Sequence, residues 1–290
     1  MMNRDEALQK SDEALKELAQ ALRQGKSEKL LEYLGMMSRF HQYSFGNCIL
    51  IAMQKPDATL VAGFGKWKEM NRFVKKGEKG IAILAPLVGK RRKDETGSDV
   101  AEKSSSEKAD GESAKVLYGF RVVYVFDVTQ TEGQELPEFT SLAGDPGDKL
   151  GKLDAIIRSK GIELEYVESL PFDANGMSAG GKISINSTRP RPQMFSTMVH
   201  ELAHELLHWG DRRESTTKVI RETEAESVAY VVCRAIGLEC STKASDYIQL
   251  WSGDEKVLMQ SLELIRNVAS KILAELESVS TEIQEVADVA

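Results

Sequence analysis

With 290 residues, of which 41% are hydrophobic and 29% charged, the chain is long enough to bury a sizeable core in two domains, and its three cysteines, Cys48, Cys233 and Cys240, lack CxxC spacing. An odd cysteine count without paired spacing speaks against a disulfide framework and for structural thiols in a reducing compartment. The net charge of −7 is unevenly spread, with 18 basic and 10 acidic groups in residues 1–93 but 20 and 35 in residues 94–290, so only the first part suits a polyanion.

The N-terminal stretch MMNRDEALQKSDEALKEL is charged throughout, and no apolar run approaches the length of a bilayer span. The expectation is a cytoplasmic protein with no membrane partner. Residues 3–23 carry Ala and Leu at helical spacing, and a second helical stretch, SEKLLEYLGMMSRFHQYSFGNCILIAMQK, runs up to Pro56. ATLVAGFGKW, GIAILAPLV and VLYGFRVVYVFDV then read as strands of a small sheet. Between the last two lies residues 89–115, without an aromatic and with almost nothing to bury, which predicts a disordered excursion.

The Pro- and Gly-punctuated stretch 137–149 is the expected domain boundary. The predicted class is α+β with two domains, 1–138 and 148–290. The second reads as a helix, a strand, a Gly-rich strand or hairpin (ANGMSAGGKISIN), two helices and a helical tail from about Ala244. Its Gly-rich strand is either an ordinary hairpin or an open edge on which an extended peptide can pair.

The chemistry-bearing sequence is VHELAHELLHWG. It holds an HExxH pattern, in which His200 and His204 share one helix face and Glu201 stands beside the first as a proton acceptor for a metal-activated water. Zinc needs a third protein ligand, and the next predicted helix offers Glu222 and Glu226, again four apart. Glu222 is preferred as the ligand, with Glu226 as the carboxylate that fixes a ligand imidazole; the reverse assignment stays open. His208 extends the stripe by another turn and is open between a third imidazole ligand, a substrate contact and a histidine satisfied at the helix end.

In the first domain, residues 55–93 hold 11 basic and 3 acidic groups, and Tyr43, Phe45, Phe64, Trp67 and Phe73 lie among Lys66, Lys68, Arg72, Lys75, Lys76 and Lys79. Aromatic faces that stack on unpaired bases, flanked by cations that follow phosphates, are what single-strand binding requires. Tyr43, Phe64, Trp67, Arg72, Lys75, Lys76 and Lys79 are the expected contacts, although part of the aromatic set must serve the core.

YSFGNCILIAMQKPDATLVAGFGKWKEMNRFVKKGEKGIAILAP, with FRVVYVFDVTQTEG after the insert, resembles the N-terminal domain of the ArdC antirestriction proteins of plasmids and mobile elements, with Asn47, Gln54, Pro56, Thr59, Gly63, Trp67, Lys76, Gly77, Gly80, Gln130 and Thr131 among the distinctive positions. The resemblance implies binding of single-stranded DNA. HELAHELLH with ETEAESVAYVVCRAIGL is similar both to the zincin-like metallopeptidase part of ArdC and to the ImmA/IrrE regulatory peptidases, which implies zinc at His200, His204 and Glu222 with Glu201 catalytic. One departure is that ArdC-type sequences continue the motif as HWTGH where this chain has HELLHWG, which shifts the extra histidine. The expected function is an antirestriction protein that binds single-stranded DNA and hydrolyses peptide bonds through a zinc-activated water. The alternatives are a non-catalytic binder with structural zinc, or a regulatory peptidase that cuts a repressor.

Overall fold

A computed structural model of the chain describes residues 2–24, 26, 28–90, 115–135, 144–239 and 255–287. Most of the predicted excursion 89–115, the first part of the expected boundary 137–149, and Cys240 lie outside the described residues. The class is α+β, and the chain divides into two compact units, Met1–Asp12 with Leu50–Gln134, and Glu13–Ile49 with Glu135–Ala290. No helix among the described residues is long and apolar enough to cross a membrane.

The first unit is built on β1 (Val61–Gly63), β3 (Ile81–Lys90) and β4 (Lys115–Asp127), antiparallel in the order β1-β4-β3. A two-stranded pair joins β2 (Arg72–Val74) to β5 (Thr131–Gly133). Side chains alternate across a strand, so Ile81, Ile83 and Val125 bury one face of the sheet while Phe120 and Tyr124 on the other remain 38% exposed each. The short helix α4 (Phe64–Glu69) inserts Trp67 into the core, where its indole N–H donates to the Phe126 carbonyl at 2.9 Å.

Several residues that carry the ArdC resemblance are structural here. Gln54 spans β3 by donating to the Ala82 carbonyl (2.8 Å) and accepting from the Ala82 N–H (2.9 Å). Gln130 accepts from the Asp127 N–H and donates to the Lys79 carbonyl, so it ties the turn after β4 to the loop before β3.

The second unit holds a three-stranded sheet in the order β6 (Glu163–Val167), β8 (Lys182–Asn186), β7 (Gly176–Ser178), with β6 parallel and β7 antiparallel to β8. Its helices are α2 (Glu28–Phe40), α5 (Lys149–Ser159), α6 (Arg191–Leu207), α7 (Asp211–Ser215), α8 (Lys218–Ala235) and α9 (Glu255–Ala287). In α9 the buried Leu258, Leu262, Ile265, Ala269, Ile272 and Leu276 alternate four and three apart, the spacing that keeps one face inward.

The units do not divide at the expected 1–138 and 148–290. Leu15, Leu18 and Leu22 of α1 (Arg4–Arg23), Leu30, Leu34 and Met37 of α2, and Phe45 and Ile49 of α3 (Phe45–Gln54) join one buried cluster with Leu153, Phe195, Val228 and Leu262. Residues 13–49 therefore belong with the second unit, because their apolar helix faces are part of its core. The single helical stretch read before Pro56 is two helices, and Ser44 restarts the second by accepting from the Asn47 N–H.

Candidate metal centre

Helix α6 buries Phe195, Met198, Val199, Leu202 and Ala203 at helical spacing, which turns the stripe carrying His200 and His204 toward a cleft, their side chains 21% and 15% exposed. Helix α8 packs against it, started by Thr217, whose hydroxyl accepts from the Ile220 N–H. Glu222 and Glu226 lie one turn apart on the α8 face that meets this stripe. The cleft holds about 750 Å³ and is lined by Gly176, Thr197, His200, Glu201, Glu222 and Glu226, among others.

Three ligand atoms converge. His200 Nε2 is 3.1 Å from His204 Nε2, and Glu222 Oε2 is 3.5 Å and 3.6 Å from the two. Ligand atoms placed tetrahedrally at about 2.1 Å from one cation lie roughly 3.4 Å apart, so two imidazoles and one carboxylate already have the mutual spacing of a three-ligand zinc site. Among the described residues this is the one group of side chains with that convergence. Glu226 Oε2 approaches the far nitrogen of His200, Nδ1, at 3.4 Å.

Glu201 is buried on the cleft floor beside β7, where Gly176 leaves room for it: a Cβ at 176 would stand 2.5 Å from Thr197 Cγ2 and 3.0 Å from Glu201 Cγ. Burial pushes the Glu201 carboxyl above its ordinary range, against the pull of His200 and His204. Burial also lowers His200, but hydrogen bonds to Glu222 and Glu226 outweigh it and raise the imidazole to about 9. Hydrogen bonding to the His200 imidazole, in turn, holds Glu222 far below the usual carboxylate range. Opposite charges stabilising each other across a cleft are what a bound cation replaces.

His208 does not reach the convergence point. Its Nδ1 lies 2.9 Å from His204 Nδ1 and its Nε2 lies 3.0 Å from Glu224 Oε2, so both ring nitrogens are engaged behind His204 and the reading as a third imidazole ligand is corrected. Glu224 is fully buried and also accepts from Arg212 and from the Ser261 hydroxyl of α9, at 2.5 Å each. Behind the cleft, Glu205 accepts from the Ser178 hydroxyl and the Gly180 and Gly181 N–H groups, which pins the β7–β8 turn to α6. Trp209 covers that turn so closely that a Cβ at Gly180 (φ +77°) would stand 2.4 Å from its ring.

Of the expected strand-binding residues, Trp67 is corrected to a core residue, because its ring is fully buried. Tyr43 falls in the second unit, whereas Phe64 and the basic residues fall in the first. Arg72 spends its guanidinium on Thr131 and the Gln134 carbonyl, and Lys75 donates to the Thr129 carbonyl at 3.0 Å. Phe64 and Phe73 are 58% and 52% exposed, and Lys76 and Lys79 are exposed. Sequence reasoning passed over Tyr124 and Phe126, which border a depression of about 1330 Å³ shared with Lys55, Lys76 and Lys79. The period-two alternation of β4 could have found them. It also passed over Glu224, although that residue stands four before Val228 on the buried face of α8.

The chain is similar over 295 aligned residues to an uncharacterised protein of Bacillus anthracis, at 24% identity, covering 89% of this chain and 49% of that protein. It thus spans about half the length of that curated relative. Among solved structures, it is similar to the antirestriction ArdC protein of plasmid R388 in its metal-free form (20% identity, 80% of this chain and 85% of that one, TM-score 0.46). The same holds for the Mn(II)-bound form (17% identity, 80% and 83%, TM-score 0.46). The family model for the N-terminal domain of anti-restriction factor ArdC matches residues 4–126. Over those residues the chain is thus similar to the ArdC N-terminal domain family.

Proposed function

We propose that this chain is a zinc-dependent peptidase of the zincin-like kind whose ArdC-like N-terminal part holds single-stranded DNA, and that it acts in the cytoplasm as an antirestriction protein of a mobile element. The observation that carries the enzymatic reading is the spacing of His200, His204 and Glu222 around one point, with the buried Glu201 carboxyl in the same cleft. Two imidazoles and a carboxylate suit zinc and leave a coordination position free. When bound, zinc lowers the pKa of a water toward neutrality and polarises a carbonyl.

The chain's own residues supply the rest. Glu201 accepts the proton of the attacking water as the new C–O bond forms, holds it at its carboxyl, and gives it to the leaving amine as the C–N bond breaks. A carboxyl raised by burial suits both halves of that transfer. His200, His204 and Glu222 bind the cation and take no part in the proton's path.

The nucleic-acid reading rests on the 11 basic and 3 acidic groups of residues 55–93, on the family match, and on exposed aromatics beside exposed lysines. With Trp67 buried, stacking passes to Phe64, Phe73 and Tyr124, and Lys76 and Lys79 take the phosphates.

The test measures zinc content and hydrolysis of a mixed protein substrate, with and without single-stranded DNA. Glu201→Gln should keep zinc and lose hydrolysis, while His204→Ala should lose both. Parent protein that holds zinc without hydrolysing anything leaves a non-catalytic binder; zinc retained by the His204 variant overturns the centre itself. Protection of unmodified plasmid DNA in a restricting host, lost on Lys76→Ala with Lys79→Ala, tests the antirestriction role.

A further inference from the structure

The buried residues behind His204 form a chain whose proton positions are determined by a single fixed acceptor. Glu224, 0% exposed, accepts from Arg212 and Ser261 on Oε1, and its Oε2 faces His208 Nε2 at 3.0 Å. An ionised carboxylate has no proton to give, so His208 must carry its own on Nε2. The Arg212 charge already balances Glu224, so a neutral His208 keeps this buried set neutral as a whole. Neutral His208 then has its lone pair on Nδ1, which faces His204 Nδ1 at 2.9 Å. His204 must therefore donate from Nδ1. That leaves the lone pair of His204 on Nε2, the nitrogen turned toward His200 and Glu222.

We propose that His208 and Glu224 are positioning residues that fix the Nδ1–H tautomer of His204 and present its Nε2 lone pair to the cation, an inference that rests on the metal-centre reading above. His200 has a simpler arrangement, with Glu226 on its Nδ1 at 3.4 Å. The two ligand imidazoles are thus set by different means, one by a half-exposed carboxylate and the other through a second histidine held by residues of α7, α8 and α9. A partner on the far nitrogen orients a ligand imidazole and raises its basicity.

Glu224→Gln is the sharpest variant. The two strong donors, Arg212 and Ser261, retain the amide oxygen, so the amide NH2 faces His208 and donates to its Nε2. The chain then reverses: His208 donates from Nδ1, and His204 is left with its proton on Nε2 where the cation should bind.

The experiment uses the full chain. Nitrogen-15 NMR of the metal-free parent should show His208 protonated at Nε2 and His204 at Nδ1, and Glu224→Gln should move the His204 proton to Nε2. Zn²⁺ affinity, read by competition with a chromophoric chelator, should fall about ten- to a hundredfold in Glu224→Gln and in His208→Leu. A merely structural role would lower affinity without moving the proton. The opposite tautomers in the parent, or a Glu224→Gln protein that keeps both tautomer and affinity, overturn the relay while leaving the metal centre standing. A parent that binds no Zn²⁺ overturns the metal centre and the relay with it.

Discussion

Glu222 and Glu226 approach the same imidazole from opposite sides, Glu222 at His200 Nε2 and Glu226 at Nδ1. Only the first also reaches His204, at 3.6 Å, so only the first can share a cation with both histidines. Glu222→Ala should abolish stoichiometric zinc, whereas Glu226→Ala should weaken it only about ten- to a hundredfold, both read by metal analysis after dialysis against a chelator. Equal losses would mean that Glu226 also coordinates. Gly176 offers a different test at the same scale, since a methyl group there meets Thr197 Cγ2 and crowds Glu201. Gly176→Ala should leave zinc content unchanged and slow hydrolysis by displacing the proton acceptor. Trp67→Ala removes a fully buried indole and its hydrogen bond to Phe126, so it should cost about 3–5 kcal/mol of stability in a denaturant melt. Tyr124→Ala, at an exposed ring, should leave the melt unchanged and weaken single-strand binding by about 1–3 kcal/mol.

At the scale of elements, α6 and α8 were legible because metal ligands must share a helix face, and four-residue spacing in HELAH and ETEAE gives that face away. Their supports were not legible, because hydrogen-bond partners come from distant segments. Nothing near Glu224 in sequence announces Ser261, 37 positions on, and nothing near Glu205 announces the Gly180–Gly181 turn. The small sheet of the first unit was readable from its β-branched runs, but which aromatic of the unit is core depends on tertiary packing, and that misled the reading of Trp67. The Glu205 clamp makes its own prediction. Glu205→Ala frees the amides of Gly180 and Gly181, so their hydrogen exchange should accelerate while that of α6 holds. Unchanged exchange at both glycines would show that Trp209 and the Ala179–Lys182 backbone hydrogen bond hold the turn without the carboxylate.

Across the whole molecule, the apolar faces of residues 13–49 belong to the core that carries the candidate metal centre. A fragment of residues 148–290, cut where the sequence suggested a boundary, would lack Leu18, Leu30, Leu34 and Met37 and expose the surfaces they cover. It should bind the hydrophobic dye ANS and melt without cooperativity, in contrast to the full chain. The same arrangement bears on how the chain comes into being. During synthesis, residues 13–49 emerge before residues 50–134 and must wait while those are made, because the rest of their core lies beyond residue 135. Their leucine-rich faces therefore spend that interval without their native cover, a window in which a holdase chaperone or a slowed ribosome would decide how much protein reaches the native state.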